Sequence, residues 1–419
     1  MREMSQVSSV ASTGVTHVRV RIKLHYDWSS SLSIRNEKII SKNGVQRMSF
    51  LWYWPAGGWD FEEWKAAHPW TPITSEQSGR GDLLPLTDAT ATRAQWTESR
   101  NNWLDITNQL LGEIKDVAPA TMKWEFLTDP LTRHGESPFT MQRLRYKLTE
   151  AGEWGYAWLL IPGGDQEKRP AVIALHQTVM QGKNEPVGLE TRPHDPGGME
   201  YARHLAERGV IVFAPDVIAF GERAADHSNT HYRSADQFYA AHPDGSVMRK
   251  MVFDVSRAVD VLGQMPGVDP DHIGCIGHSH GGYGTLFAML FDERIKAGVI
   301  SCGYNTLRDD PKPMRWWEMT ALIPRLGYYA GDVTQMPIDF HILLSLIAPR
   351  ALIINAGRQD PTFPNPKLLD ATLDQVRGVY KLLDADGKYE TTVFDGPHDF
   401  PQASRDIAYA MLANELKPG

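Results

Sequence analysis

The sequence predicts an α/β fold, a mostly parallel central sheet with helices on both faces, joined to an N-terminal Trp-rich extension and a small cap insertion. Three observations point to it. From about Pro130 onward, short apolar runs alternate with stretches of helical periodicity. The apolar runs are apolar throughout, as strands covered on both faces are, instead of alternating with polar residues. The periodic stretches GGMEYARHLAERG and SVMRKMVFDVSRAVDVLGQM stop at Gly209 and at Pro266-Gly267, as helices do.

The elements follow in order. VRVRIKLHY alternates apolar and polar residues and reads as a half-buried strand. Most of the thirteen Trp lie at or before Trp103, in pieces such as LWYWPAGGW and EEWKAAHPW. These mark residues 1–120 as an extension packing its aromatics on a core of residues 121–419, though such faces also suit sugar rings or acyl groups. RLRYKL and WGYAWLLIP read as a hairpin. PAVIALHQT, AGVISCG and ALIINAG read as buried strands, and VIVFAPD, HIGCIG and TTVF as further strands. In SVMRKMVFDVSRAVDVLGQM, Val252, Val255, Val259 and Leu262 share one helical face. GGYGTLFAMLF and SRDIAYAMLANEL read as further helices. The insertion after Cys302, over residues 303–340, reads as a cap carrying Trp316 and Trp317. These two either cover a substrate pocket or anchor the cap.

Composition narrows the function. Hydrophobic residues make up 42% of the 419 residues and charged residues 22%, an ordinary globular balance. A net charge of −8 with no long basic run argues against nucleic-acid binding. No apolar run is long enough to cross a bilayer. The N-terminus has no apolar signal block, which is expected of a cytoplasmic protein or of a secreted one whose leader has been removed. Cys275 and Cys302 sit in apolar runs and read as buried thiols, too few for a disulfide framework. A homo-oligomer is compatible with all of this.

Gly277-His278-Ser279-His280-Gly281 fits G-x-S-x-G between an apolar strand and a helix, the setting of a nucleophile elbow. The sharp turn lifts Ser279 above the sheet, and the two glycines let strand and helix approach closely. A serine hydroxyl needs a base to take its proton. Asp360, after the strand ALIINAG, and His398, after the strand TTVF, follow in the chain order Ser, Asp, His. Asp395 and Asp399 flank His398 as weaker candidates for the acid. A metal-binding pair, His278 and His280, lacks accompanying ligand motifs, so no metal is expected. The backbone N–H groups of Gln177, in the loop after PAVIAL, and of His280, after the nucleophile, are the expected oxyanion donors. His176, Glu222, Arg223, Tyr283, Trp316 and Trp317 are candidate pocket residues. Glu222 and Arg223 could equally pair with each other.

LHQT…GKNEPVGL, APDVIAFGER, IGCIGHSHGGYGT, IAPRALIINAGRQD and GPHDFP resemble the α/β-hydrolase superfamily, in its bacterial dienelactone-hydrolase-like and acetyl-xylan-esterase-like branch. The resemblance runs from about Leu127 to the C-terminus. It implies a serine carboxylic-ester hydrolase acting on small acyl esters such as acetylated carbohydrates. Ser279 would be the nucleophile, Asp360 the acid and His398 the base, with no cofactor. Ser279 replaces the Cys of true dienelactone hydrolases. The elbow also departs from the Cys-Ser-Arg of glucuronoyl esterases, which points away from that activity. A serine peptidase or amidase on the same fold, or a binding protein that kept the fold, are the rival readings.

Overall fold

The computed structural model describes residues 40–41, 44–45, 59–74, 92–114, 121–131, 138–164, 168–190, 198–224, 235–318 and 320–417. The chain divides into two compact units, residues 1–52 and 53–419. In the first, Ile40–Ser41 pairs antiparallel with Gly44–Val45. The strand expected at VRVRIKLHY lies outside the described residues, as do Trp28, Trp52 and Trp54.

The second unit holds a nine-stranded sheet. Its strands are β1 (Trp124–Phe126), β2 (Phe139–Lys147), β3 (Trp154–Pro162), β4 (Arg169–Leu175), β5 (Ile211–Pro215), β6 (Val268–His278), β7 (Ile295–Ser301), β8 (Ala351–Gly357) and β9 (Tyr389–Phe394). They lie in the order β9-β8-β7-β6-β4-β5-β3-β2-β1. β4 to β9 pair parallel with one another. β1, β2 and β3 form an antiparallel flank, and β3 pairs antiparallel with β5. β4, β5 and β6 run parallel, so the loops after them open at the same sheet edge, and the chain order reverses around β4, where open α/β sheets bind ligands.

The helices are α1 (Phe61–Ala67), α2 (Arg93–Leu111), α3 (Tyr201–Ala206), α4 (Ala235–Ala241), α5 (Val247–Leu262), α6 (His280–Phe291), α7 (Phe340–Ser345), α8 (Leu369–Leu382) and α9 (Gln402–Glu415). They cover both faces. Along β8, Leu352 and Ile354 enter the core that also holds α5, α6 and α8, whereas Ala351 and Ile353 enter the core holding α3 and α9. This two-sided burial is why the strands read as unbroken apolar runs. α5 begins where Ser246 Oγ accepts from the Arg249 N–H, an N-cap bond of 3.0 Å.

Among the helices that the alternation argument did not mark are α2 and α8. α2 is capped by a reciprocal Thr92–Gln95 pair, and buries Trp96, Trp103, Ile106 and Leu110. α8 buries Leu369, Leu373, Val376 and Tyr380. Trp64, Trp96 and Trp103 thus join the main core, and Trp59 Nε1 donates to the Trp317 carbonyl at 2.9 Å. The described aromatics upstream of residue 120 therefore pack within the unit that carries the sheet.

Candidate active site

β6 delivers Ser279 at a turn with φ 55° and ψ −115°. A side chain rarely adopts this left-handed backbone, and such strain persists only where the surroundings enforce it. Here they do. The Ser279 N–H donates to the Ser301 carbonyl at 2.8 Å, and the Ser279 carbonyl accepts from Gly282 at 2.9 Å. A Cβ on Gly277 would come within 2.2 Å of the Gly281 backbone, and one on Gly281 within 2.0 Å of the Leu175 carbonyl oxygen. Both positions need glycine because β4, β6 and α6 converge there. The loop that follows β4 is thereby pressed against the elbow.

Asp360 and His398 come together from separate loops, after β8 and β9. Asp360 Oδ2 accepts from His398 Nδ1–H at 2.7 Å. Asp360 Oδ1 accepts from the N–H groups of Thr362 at 2.7 Å and Phe363 at 2.9 Å. Burial works to raise the Asp360 pKa, but the His398 hydrogen bond and charge and these amides outweigh it and hold the carboxyl below its ordinary value. With Nδ1 donating to a carboxylate, Nε2 of a neutral His398 keeps a lone pair, as a general base requires.

The competing acids are placed otherwise. The Asp395 side chain is 84% exposed and lies 3.7 Å from Arg358. Asp399 turns its carboxylate to the Phe400 N–H, at 2.7 Å. His278 and His280 diverge. His278 Nδ1 lies 2.8 Å from Ser301 Oγ, with its ring 4.6 Å from that of His398. His280 Nε2 instead lies 3.4 Å from Met251 Sδ, with its ring 5.0 Å from Phe220. The two rings thus have different neighbours.

His280 is the first residue of α6, and first-turn amides have no intrahelical acceptor. The Gln177 side chain donates from Nε2 to the buried Glu185 at 3.1 Å. His176 is fully buried. Its Nε2 accepts from the Val217 N–H at 3.0 Å, so Nδ1–H donates to the Gln177 carbonyl at 2.6 Å. Both ring nitrogens are used in orienting the Gln177 peptide, and none is left for a pocket. Burial lowers the His176 pKa, in keeping with a neutral ring.

Glu222 and Arg223 do not pair with each other. Glu222 accepts from Lys183 Nζ at 2.6 Å. Arg223 donates to Asp254 at 2.7 Å and Glu153 at 2.6 Å. They diverge because each has a closer counter-charge on a different element. Asp216 is the centre of the first group. It accepts from the Lys183 N–H at 2.9 Å, from Lys183 Nζ at 2.5 Å and from the Glu222 N–H at 3.0 Å. This buried pair ties the loop carrying Gln177 to the end of β5. Breaking a buried pair leaves an uncompensated charge, so Asp216→Asn is expected to cost about 3 kcal/mol in urea unfolding. A loss under about 1 kcal/mol, the size of an exposed pair, would reject that role.

Tyr283, Trp316 and Trp317 are all buried. Trp316 packs on Phe340 at 4.7 Å and Tyr283 at 5.1 Å, and so anchors the cap to the core. Phe363, 5.8 Å from the His398 ring, continues this wall to the candidate base. A separate cavity of about 820 Å³ is bounded by Trp70, Asn108, Arg249 and Arg325, and shares no residue with this site. Its arginines are occupied with the end of α2, donating to the Gly112 and Gln109 carbonyls. Among the described residues, Asn355 joins this cluster without a counterpart in the motif reading. Asn355 Nδ2 donates to Ser301 Oγ at 2.9 Å and to the Asp399 carbonyl at 3.0 Å. The signal was an amide inside the apolar strand ALIINAG.

Known proteins bear on this arrangement. Residues 199–304, from just before α3 to just past β7, match the family model described as glucuronyl esterase of fungi. A 4-O-methyl-glucuronoyl methylesterase of Neurospora crassa is 28% identical over 199 residues, 41% of this chain and 50% of that protein. One from Hypocrea jecorina is 29% identical over 163 residues, covering 32% and 33%. The chain thus spans half or less of the length of these curated relatives. A solved glucuronoyl esterase from Solibacter usitatus aligns with a TM-score of 0.62 at 14% identity, over 81% of this chain and 98% of that one. The chain has the α/β-hydrolase fold. The elbow triplet His278-Ser279-His280 pointed away from glucuronoyl esterases, yet the family match runs across it. The turn depends on Ser279 and the two glycines, which leaves the flanking residues free to differ.

Proposed function

We propose that the protein is a serine hydrolase that cleaves carboxylic esters of carbohydrates. The observation that carries this reading is the 2.7 Å Asp360–His398 pair on the same sheet edge as the strained Ser279 turn. His398 Nε2 takes the Ser279 proton as Oγ attacks the ester carbonyl. Asp360 holds the imidazole in the working tautomer and stabilises its charged form. The N–H groups of Gln177 and His280 receive the oxyanion; one such donor is worth about 3 kcal/mol. The alcohol departs with the proton from His398, and water then releases the acid from Ser279. This route requires no cofactor. Relatives named as glucuronoyl methylesterases support an alkyl glucuronate as the first substrate to test, ahead of acetylated xylan.

Hydrolysis of methyl glucuronate, acetylated xylan, nitrophenyl acetate and a nitroanilide tests the reading. Ester turnover that disappears in Ser279→Ala is expected. Anilide cleavage without ester cleavage would make the protein an amidase. Inertness toward all four, together with no labelling of Ser279 by a fluorophosphonate, would make it a binding protein.

A further inference from the structure

We propose that Cys302, Asp360 and His398 together form a binding site for a thiophilic divalent cation, Zn²⁺ or Cd²⁺, whose occupation disables the candidate base. Its effect on turnover rests on the proposed function, whereas cation binding does not.

One ligand atom from each residue (the Cys302 sulfur, an Asp360 oxygen and a His398 nitrogen) lies within 4.8 Å of the other two. Around a tetrahedral zinc, with bonds of about 2.0–2.3 Å, such ligands stand roughly 3.4–3.6 Å apart. The gap closes with side-chain shifts of about 1 Å. Thiolate, imidazole and carboxylate are all donors that zinc accepts. Three loops or strand ends bring them together: Cys302 just past β7 at φ 43°, Asp360 after β8 and His398 after β9.

A thiol that merely filled space would have apolar neighbours. Cys275 comes close to this, fully buried in the main apolar core with Thr285 Oγ1 as a polar contact at 3.4 Å. Cys302 instead donates to the Asp399 carbonyl at 3.3 Å and sits beside the Asp360 carboxylate. Burial and the Asp360 charge push its pKa up, so the metal-free thiol is protonated and a poor target for alkylation or oxidation. A divalent cation supplies the compensating charge. His398, with 18% of its side chain exposed, is the most open of the three and gives the side of approach.

The step balances. The cation forms a bond to the sulfur, and the thiol proton leaves to solvent, one proton per ion. The ring nitrogen facing Asp360 is Nδ1. A cation held there leaves the imidazole proton on Nε2, which can no longer accept from Ser279. A cation held on Nε2 consumes that lone pair directly.

The test is a Cd²⁺ titration of the full chain, read by the ultraviolet thiolate-to-cadmium charge-transfer band and, in parallel, by ester turnover. One Cd²⁺ per chain should saturate the band, release one proton and suppress turnover. Cys302→Ser should abolish the band and raise the half-inhibiting Cd²⁺ about tenfold or more, relative to its own metal-free turnover. Cys275→Ser should retain both responses. His398→Ala, with its thiol intact, should weaken the band's Cd²⁺ affinity about tenfold or more, and it keeps the test alive should Cys302→Ser fail to fold. No band in the wild type, a band surviving Cys302→Ser, or an unchanged His398→Ala titration overturns the site. A band in a protein that cleaves no ester would reject the proposed function and leave the cation site standing.

Discussion

Ser279→Ala is expected to lower kcat/KM on the best ester substrate by roughly four to six orders of magnitude, the scale on which loss of a nucleophile acts in a cooperating triad. The fold should survive. The Ser279 backbone is held by its own N–H to Ser301 and by its carbonyl to Gly282 and Tyr283, none of which involves the hydroxyl. Alanine meets the same strain at φ 55° as serine does, so the stability change should stay within about 0.5 kcal/mol. Measuring turnover and urea midpoint on one preparation separates the two effects. Activity retained to within tenfold would move the nucleophile elsewhere. Activity lost together with a large midpoint shift would reveal a structural role for the hydroxyl.

The fold was legible because its strands are buried on both faces and therefore stand out as apolar blocks between periodic segments. Ser279 and its two glycines were legible because the turn allows few residue types. Asp360 and His398 could be read from chain order, since each follows a strand that the pattern makes plain. Distance and partnership were less readable. Nothing in DVIAFGER says that Glu222 pairs with Lys183 while Arg223 reaches Asp254 and Glu153. Those partners lie between 31 and 70 residues away from them. His176 looks like a site residue because it adjoins the oxyanion loop, yet its two nitrogens serve the backbone. Cys302 reads as one more apolar residue in AGVISCG. Its neighbours arrive from β8 and β9, more than fifty positions downstream.

Asp360→Asn tests the other half of the machinery. The Asp360 carboxylate accepts on both oxygens, from His398 on one and from Thr362 and Phe363 on the other. An asparagine can keep only one acceptor. If its carbonyl stays with the two amides, its NH₂ faces His398 Nδ1 and drives the imidazole proton to Nε2. That is the wrong tautomer for a base, and a loss of about 10⁴ in kcat is expected. Asp395→Asn, on an exposed side chain 3.7 Å from Arg358, should change kcat by less than about threefold, within surface-substitution effects. The reverse ranking would transfer the acid role to Asp395. Stability gives a second readout. The folded Asp360 carboxyl lies below its ordinary value of 3.8, so its contribution is complete above that value and fades as pH falls through the lower, folded one. The wild-type advantage over Asp360→Asn in urea unfolding should therefore hold from neutral pH down to about 5, then shrink as pH falls through 3.8 and below. An advantage that persisted undiminished at the acid end would mean that packing, rather than the bonds of the Asp360 carboxylate, holds the two loops together.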